Sequence, residues 1–162
     1  MRKRIPLAYD KKLVLIRHAH RDTEGGAWKD NGISLKGRKQ VHRLKKILMK
    51  RFPKTELTKL KKEPNQVLFL TSPKIRCQKT LAPLAKYAGV KSEIHPLLGE
   101  GPQLEGRAEE FIKEWKRMGA QLTVICSHGD LLPVMLEKLC GEEKMIPKGG
   151  YAEVSFLIWD GP

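Results

Sequence analysis

Four short apolar runs separated by long amphipathic stretches constrain this chain more than any other feature. LVLI (13–16), VLFL (67–70), LTVIC (122–126) and VSFLIW (154–159) have the length and β-branching of buried strands. The segments between them follow helical spacing. In SLKGRKQVHRLKKILMKRF, Leu35, Val41, Leu44, Leu48 and Phe52 recur near one face, with Ser34 as a cap and Pro53 ending the run. KIRCQKTLAPLAKYAG is a second helix, disturbed by Pro83 and closed by Gly89. EGRAEEFIKEWKRMG is a third, and DLLPVMLEKLCG, opened by Asp130, is a fourth. A short strand is expected around 92–95, and the polar stretch 53–65 is expected to be a surface connection. Strands alternating with helices predict an α/β fold, a three-layer α/β/α sandwich with a mostly parallel central sheet.

A chain of 162 residues buries one core, so a single domain spanning 1–162 is expected. It has no internal repeat, no low-complexity tract and no apolar run of 18 residues, so neither a signal peptide nor a membrane span is expected. Cys77, Cys126 and Cys140 form no C-x-x-C pair, which points away from a disulfide framework or zinc knuckle and toward a cytoplasmic protein. The net charge is +14, and it is concentrated: residues 1–81 hold 23 Lys and Arg against 6 Asp and Glu. Such a half attracts anionic partners, nucleic acid and phosphorylated molecules included, or is simply a solvated face.

In an open α/β sheet, ligands bind beyond the carboxyl ends of the strands. The residues there are Arg17 and His18 after the first run, Ser72 and Arg76 after the second, and Ser127, His128 and Gly129 after the third. Two imidazoles and two guanidiniums at one sheet edge suit a phosphoryl group. Arginine offers fixed planar donors to phosphate oxygens, and a neutral imidazole is a competent nucleophile. A helix opening at Asp130 adds its positive end. The stretch HAHRD also reads as His-x-His-x-Asp, a spacing found in metal sites. His42 and His95, however, lack ligand partners at short spacing, so no metal is expected. Trp28, Trp115 and Trp159 are scattered and form no aromatic platform for RNA.

These motifs together resemble the histidine phosphatase superfamily, with its phosphoglycerate-mutase-like fold. Arg17-His18-Ala19, Ser72-Pro73-Lys74-Ile75-Arg76 and Ser127-His128-Gly129 match family motifs in order, and ISLKGRKQ is similar to a further element through Gly37 and Gln40. The resemblance implies that His18 is the nucleophile that becomes a phosphohistidine. It implies that Arg17, Arg76 and His128 hold the phosphoryl group, and that a carboxylic acid protonates the leaving oxygen, Glu100 first and Asp130 second. Arg21, Ser127, Gly129 and Asp130 are assigned to substrate binding, Arg21 by similarity to the acid-phosphatase branch. No cofactor is implied.

The chain is too short for the cap insertions of acid phosphatases and resembles compact members, among them bacterial phosphohistidine phosphatases. The substrate expected is a phosphorylated small molecule or a phosphohistidine protein. The competing readings are a metal-dependent hydrolase built on HAHRD and a catalytically idle module that binds phosphate or nucleic acid.

Overall fold

The computed structural model describes residues 7–160, leaving Arg2, Lys3 and Arg4 of the basic half outside the described residues. Five strands, β1 (Leu7–Arg17), β2 (Val67–Thr71), β3 (Ser92–Ile94), β4 (Leu122–Ser127) and β5 (Tyr151–Asp160), form one sheet in the order β3-β2-β4-β1-β5. All neighbours are parallel except β5, which runs antiparallel to β1. The helices are α1 (Leu35–Arg51), α2 (Lys54–Leu60), α3 (Ile75–Ala88), α4 (Leu104–Arg117) and α5 (Leu131–Cys140). A single 3₁₀ turn, Pro96–Leu98, follows β3.

Side-chain alternation along the strands builds the layers. Val14 and Ile16 of β1, Val67 and Phe69 of β2, and Val124 and Cys126 of β4 face one core, where α1, α2 and α3 contribute Leu44, Leu48, Leu57, Leu81 and Leu84. Leu13, Leu15, Leu70 and Ile125 face the other, filled by Phe111 and Trp115 of α4 and Leu131, Leu132 and Met135 of α5. The chain is therefore an α/β/α sandwich around a mostly parallel sheet. Among the described residues no helix is long and apolar enough to cross a membrane.

Two expectations need correction. Segment 53–65 is not merely a polar connection: α2 lies within it, and Leu57 is buried in the core. Its seven residues carry only Leu57 and Leu60 as apolar anchors, too few for periodicity to register. β1 starts at Leu7 rather than Leu13, and Lys11 within it is buried. The Lys11 ammonium donates to the carbonyls of Met118 (2.6 Å) and Ala120 (3.0 Å), satisfying the end of α4.

Candidate active site

Strand register brings the motifs together. Arg17 of β1 pairs with Ser127 of β4, and Thr71 of β2 with Cys126, so three adjacent parallel strands end at one level. The pairing continues past the strands: the His18 amide donates to the Ser127 carbonyl (3.0 Å) and the Ser72 amide to that of Cys126 (3.0 Å). His18, Ser72 and His128 are thereby set side by side.

His18 is only 6% exposed. Its Nδ1 lies 2.9 Å from the carbonyl of Ala19. A carbonyl only accepts, so Nδ1 carries the proton and Nε2 carries the lone pair. Burial pushes the pKa down to about 4; the Ala19 hydrogen bond opposes this, and the charges of Arg76, His128 and Arg17 reinforce it. The imidazole is neutral at physiological pH. The ring of His128 stands 5.4 Å away, centroid to centroid.

Arg76, in the first turn of α3, is buried with its Nη2 2.8 Å from Glu100 Oε1 and its Nη1 3.6 Å from Asp30 Oδ1. Arg17 donates from Nη1 to the carbonyl of Ile146 (3.1 Å). Its guanidinium lies so close over Gly129 that a Cβ there would meet the Arg17 Cζ at 2.6 Å. The Nε atoms of both arginines are buried without a hydrogen-bond partner among the described residues. Two guanidiniums, that of Arg76 buried and that of Arg17 half-buried, each with an unused buried donor, suit an oxyanion.

His128 is buried, with Nε2 2.8 Å from the Ser72 hydroxyl and Nδ1 3.4 Å from Arg76 Nη2 and 3.5 Å from Glu100 Oε2. Glu100 thus touches both Arg76 and His128. Burial presses its pKa upward, but the Arg76 hydrogen bond and the charges of Arg76, His128 and Lys74 outweigh that and hold it below the usual carboxylate range.

Two other predicted residues, Ser127 and Asp130, stand behind this group, together with Arg107, which the sequence did not mark. Ser127 is fully buried and its hydroxyl donates to the Leu98 carbonyl (2.7 Å). Asp130 accepts from its own helix at Leu131 N (2.8 Å) and from Gly101 N (3.2 Å). Arg107 bonds the carbonyls of Gly99 and Gly101. These three side chains fasten the 98–101 turn that carries Glu100. Arg21 forms a backbone bridge with Ile33. The histidines of HAHRD part company: His20 Nδ1 is 2.7 Å from the Ser34 hydroxyl, and Asp22 accepts from Glu24 N. Among the described residues, no three His, Cys, Asp or Glu side chains gather as a ligand set.

The ISLKGRKQ element holds the loop after β1. Gln40 accepts from the His20 amide (2.7 Å), and a Cβ at Gly37 would strike the His20 carbonyl at 2.3 Å. Residues that sequence reasoning missed include Ser72 as the partner of His128. Thr80, which accepts from the Ala19 amide (3.0 Å), sits one turn after Arg76. Asp30 accepts from the amides of Ile75 (2.5 Å) and Arg76 (3.2 Å), and no sequence signal marked it.

The family model described as histidine phosphatase superfamily (branch 1) matches residues 13–117. Among solved structures, a protein described as phosphohistidine phosphatase SixA from Agrobacterium tumefaciens superposes with a TM-score of 0.68 at 17% identity, covering 94% of this chain and 98% of that one. The protein histidine phosphatase SixA complexed with tungstate gives 0.68 at 18% identity, with 91% and 94% covered. A mycobacterial glucosyl-3-phosphoglycerate phosphatase gives 0.64 at 15%, with 94% and 98% covered. No curated protein matches the chain as a sequence relative. The chain belongs to the histidine phosphatase superfamily, and the activity class this membership supports is that of a phosphatase.

Proposed function

We propose that this protein hydrolyses a phosphomonoester or phosphoramidate in two steps through a phosphohistidine on His18, without a metal. The observation that carries the reading is the 2.9 Å contact between His18 Nδ1 and the Ala19 carbonyl. A proton fixed on Nδ1 by the Ala19 carbonyl leaves the Nε2 lone pair as nucleophile, beside two guanidiniums with unused donors.

In the first step Nε2 attacks phosphorus and the bond from phosphorus to the leaving oxygen or nitrogen breaks. The leaving atom takes a proton from Glu100. In the second, Glu100 as carboxylate removes a proton from water, and the hydroxide forms a bond to phosphorus as the P–N bond to His18 breaks. Inorganic phosphate leaves and His18 returns neutral. Arg17 and Arg76 neutralise the transferring group, and His128 adds a donor as charge builds on its oxygens. Asp130 is committed to Leu131 and Gly101, which leaves Glu100 as the better placed acid.

The test is release of phosphate from an aryl phosphate by the intact protein and by His18→Ala, with and without chelator, and with vanadate. Chelator-resistant, vanadate-sensitive turnover that disappears in the variant supports the reading. Appreciable turnover by His18→Ala, or loss of activity on chelation, would sink it. Soluble, folded protein idle on both aryl phosphate and phosphohistidine would favour a binding role for the same pocket.

A further inference from the structure

We infer that Trp28 forms a leaving-group subsite that stacks on a planar ring, so that the preferred substrates are nucleoside monophosphates rather than simple sugar phosphates. The inference rests on the phosphatase reading above and adds to it the chemical class of the alcohol.

Trp28 is 84% exposed, the largest apolar side chain left in water among the described residues. Its position is not arbitrary. It sits in the 22–32 loop, which leaves β1 immediately after the catalytic histidine and is fastened at several points. Its two ends meet in the Arg21–Ile33 bridge and in the bond from Asp22 N to the Gly32 carbonyl (2.9 Å). Asn31 ties across it to the Glu24 carbonyl. Asp30 then pins it to the start of α3, accepting from the amides of Ile75 and Arg76 and lying 3.6 Å from the Arg76 guanidinium. Only Lys29 separates Trp28 from Asp30, a Cα span of at most about 7 Å. Trp28 is therefore carried by a loop that is pinned to the start of α3 beside Arg76.

The indole also touches its own loop. A Cβ at Gly26 would come within 2.7 Å of its six-membered ring, so the side chain lies across the glycine backbone, where φ is +121°. Lys29 folds over Gly25 in the same manner. At 84% exposure the ring keeps a face open to solvent. An open indole face recognises planar aromatic groups, and every nucleobase has one. A base carried on ribose is displaced outward from the phosphate, whereas an aryl group bonded directly to phosphorus is not.

The experiment compares adenosine 5′-monophosphate with ribose 5-phosphate, which shares the phosphate and the sugar and lacks the base. In Trp28→Ala, kcat/KM for adenosine 5′-monophosphate should fall roughly 5- to 150-fold, the range implied by base–aromatic stacking. The loss should appear in KM, with the loss on ribose 5-phosphate at least several-fold smaller, and Trp28→Phe should recover most of the affinity. Equal losses on both compounds, or no loss on the nucleotide, would overturn the inference.

A second readout does not need turnover. Tryptophan fluorescence of the His18→Ala protein should be quenched by adenosine 5′-monophosphate and not by ribose 5-phosphate, and the quench should vanish when Trp28→Phe is added. Absence of that quench also overturns the subsite. Activity of His18→Ala equal to the parent's would instead remove the phosphohistidine reading and leave the fluorescence result to stand or fall by itself.

Discussion

The Nη2 of Arg76 lies 2.8 Å from Oε1 of Glu100, so the residue assigned to donate a proton is held ionised by a residue assigned to bind phosphate. A phosphoryl dianion would claim the Arg76 donors and place negative charge beside Glu100. Both changes raise the Glu100 pKa. The acidic-group limb of the pH profile should therefore lie higher in kcat, which reports the complex, than in kcat/KM, which reports the free enzyme.

Glu100→Gln should lower kcat roughly 10²- to 10⁴-fold on an alkyl phosphate, whose leaving oxygen needs a proton. On an aryl phosphate with an acidic phenol the loss should be much smaller. Steady-state kinetics on the two substrates check this, and equal losses would remove Glu100 from proton transfer.

His18 predicts a pH dependence of stability. Its folded pKa of about 4 lies below the ordinary 6.5, so between these values the unfolded chain binds more protons than the folded one. Stability rises with pH across this window and is lost as pH falls from about 6.5 toward 4. Melting temperature against pH should show that loss in the parent and less of it in His18→Ala. Parallel curves would mean that His18 is protonated alike in both states.

Much of this was legible in the sequence because two periodicities do not conflict. Strands buried on both faces read as apolar runs, and α1 runs from its Ser34 cap to Arg51, ending ahead of Pro53 as expected. The grouping of the candidate-site side chains was legible because they follow the strands directly, and parallel register carries that order into space. Lys11, Asp30 and Leu57 were not. Each acts through a partner distant in the chain, Lys11 on Met118 and Ala120, and Asp30 on the amides of Ile75 and Arg76, and a buried lysine looks like any solvated one. Ser127 and Asp130 sat in the right motif, but the sequence could not say that their oxygens face the Glu100 turn.

Gly129 and Gly106 separate activity from stability. A Cβ at Gly129 would meet the Arg17 guanidinium at 2.6 Å, whereas one at Gly106, within α4, meets nothing within 4 Å. Gly129→Ala should displace Arg17 and lower kcat/KM by an order of magnitude or more, with little change in fold. Gly106→Ala should leave kinetics alone and stabilise the protein by about 0.5–1 kcal/mol. Kinetics and thermal melts on both variants test the pair; normal activity in Gly129→Ala would show that the Arg17 guanidinium need not lie where it does.

The basic half predicts a salt-dependent encounter. Along α1, Lys36, Arg38, Lys39, Arg43, Lys46 and Lys50 are exposed. Between that helix and the 144–151 segment lies a cleft of about 530 Å³ lined by Arg43, Lys144 and Lys148 and by no carboxylate. The cleft adjoins the active site through Gly149, whose amide donates to the carbonyls of Arg17 and His18 (3.2 Å each). Exposed charges act over about 10 Å at 0.1 M salt and about 3 Å at 1 M. The field should therefore accelerate capture of a large acidic substrate more than that of a small ester. Raising salt should lower kcat/KM for an acidic phosphopeptide more steeply than for an aryl phosphate, and Lys39→Glu with Arg43→Glu should flatten that slope without changing kcat. Identical slopes for both substrates, or slopes unmoved by the charge reversals, would make α1 a solvated face with no part in capture.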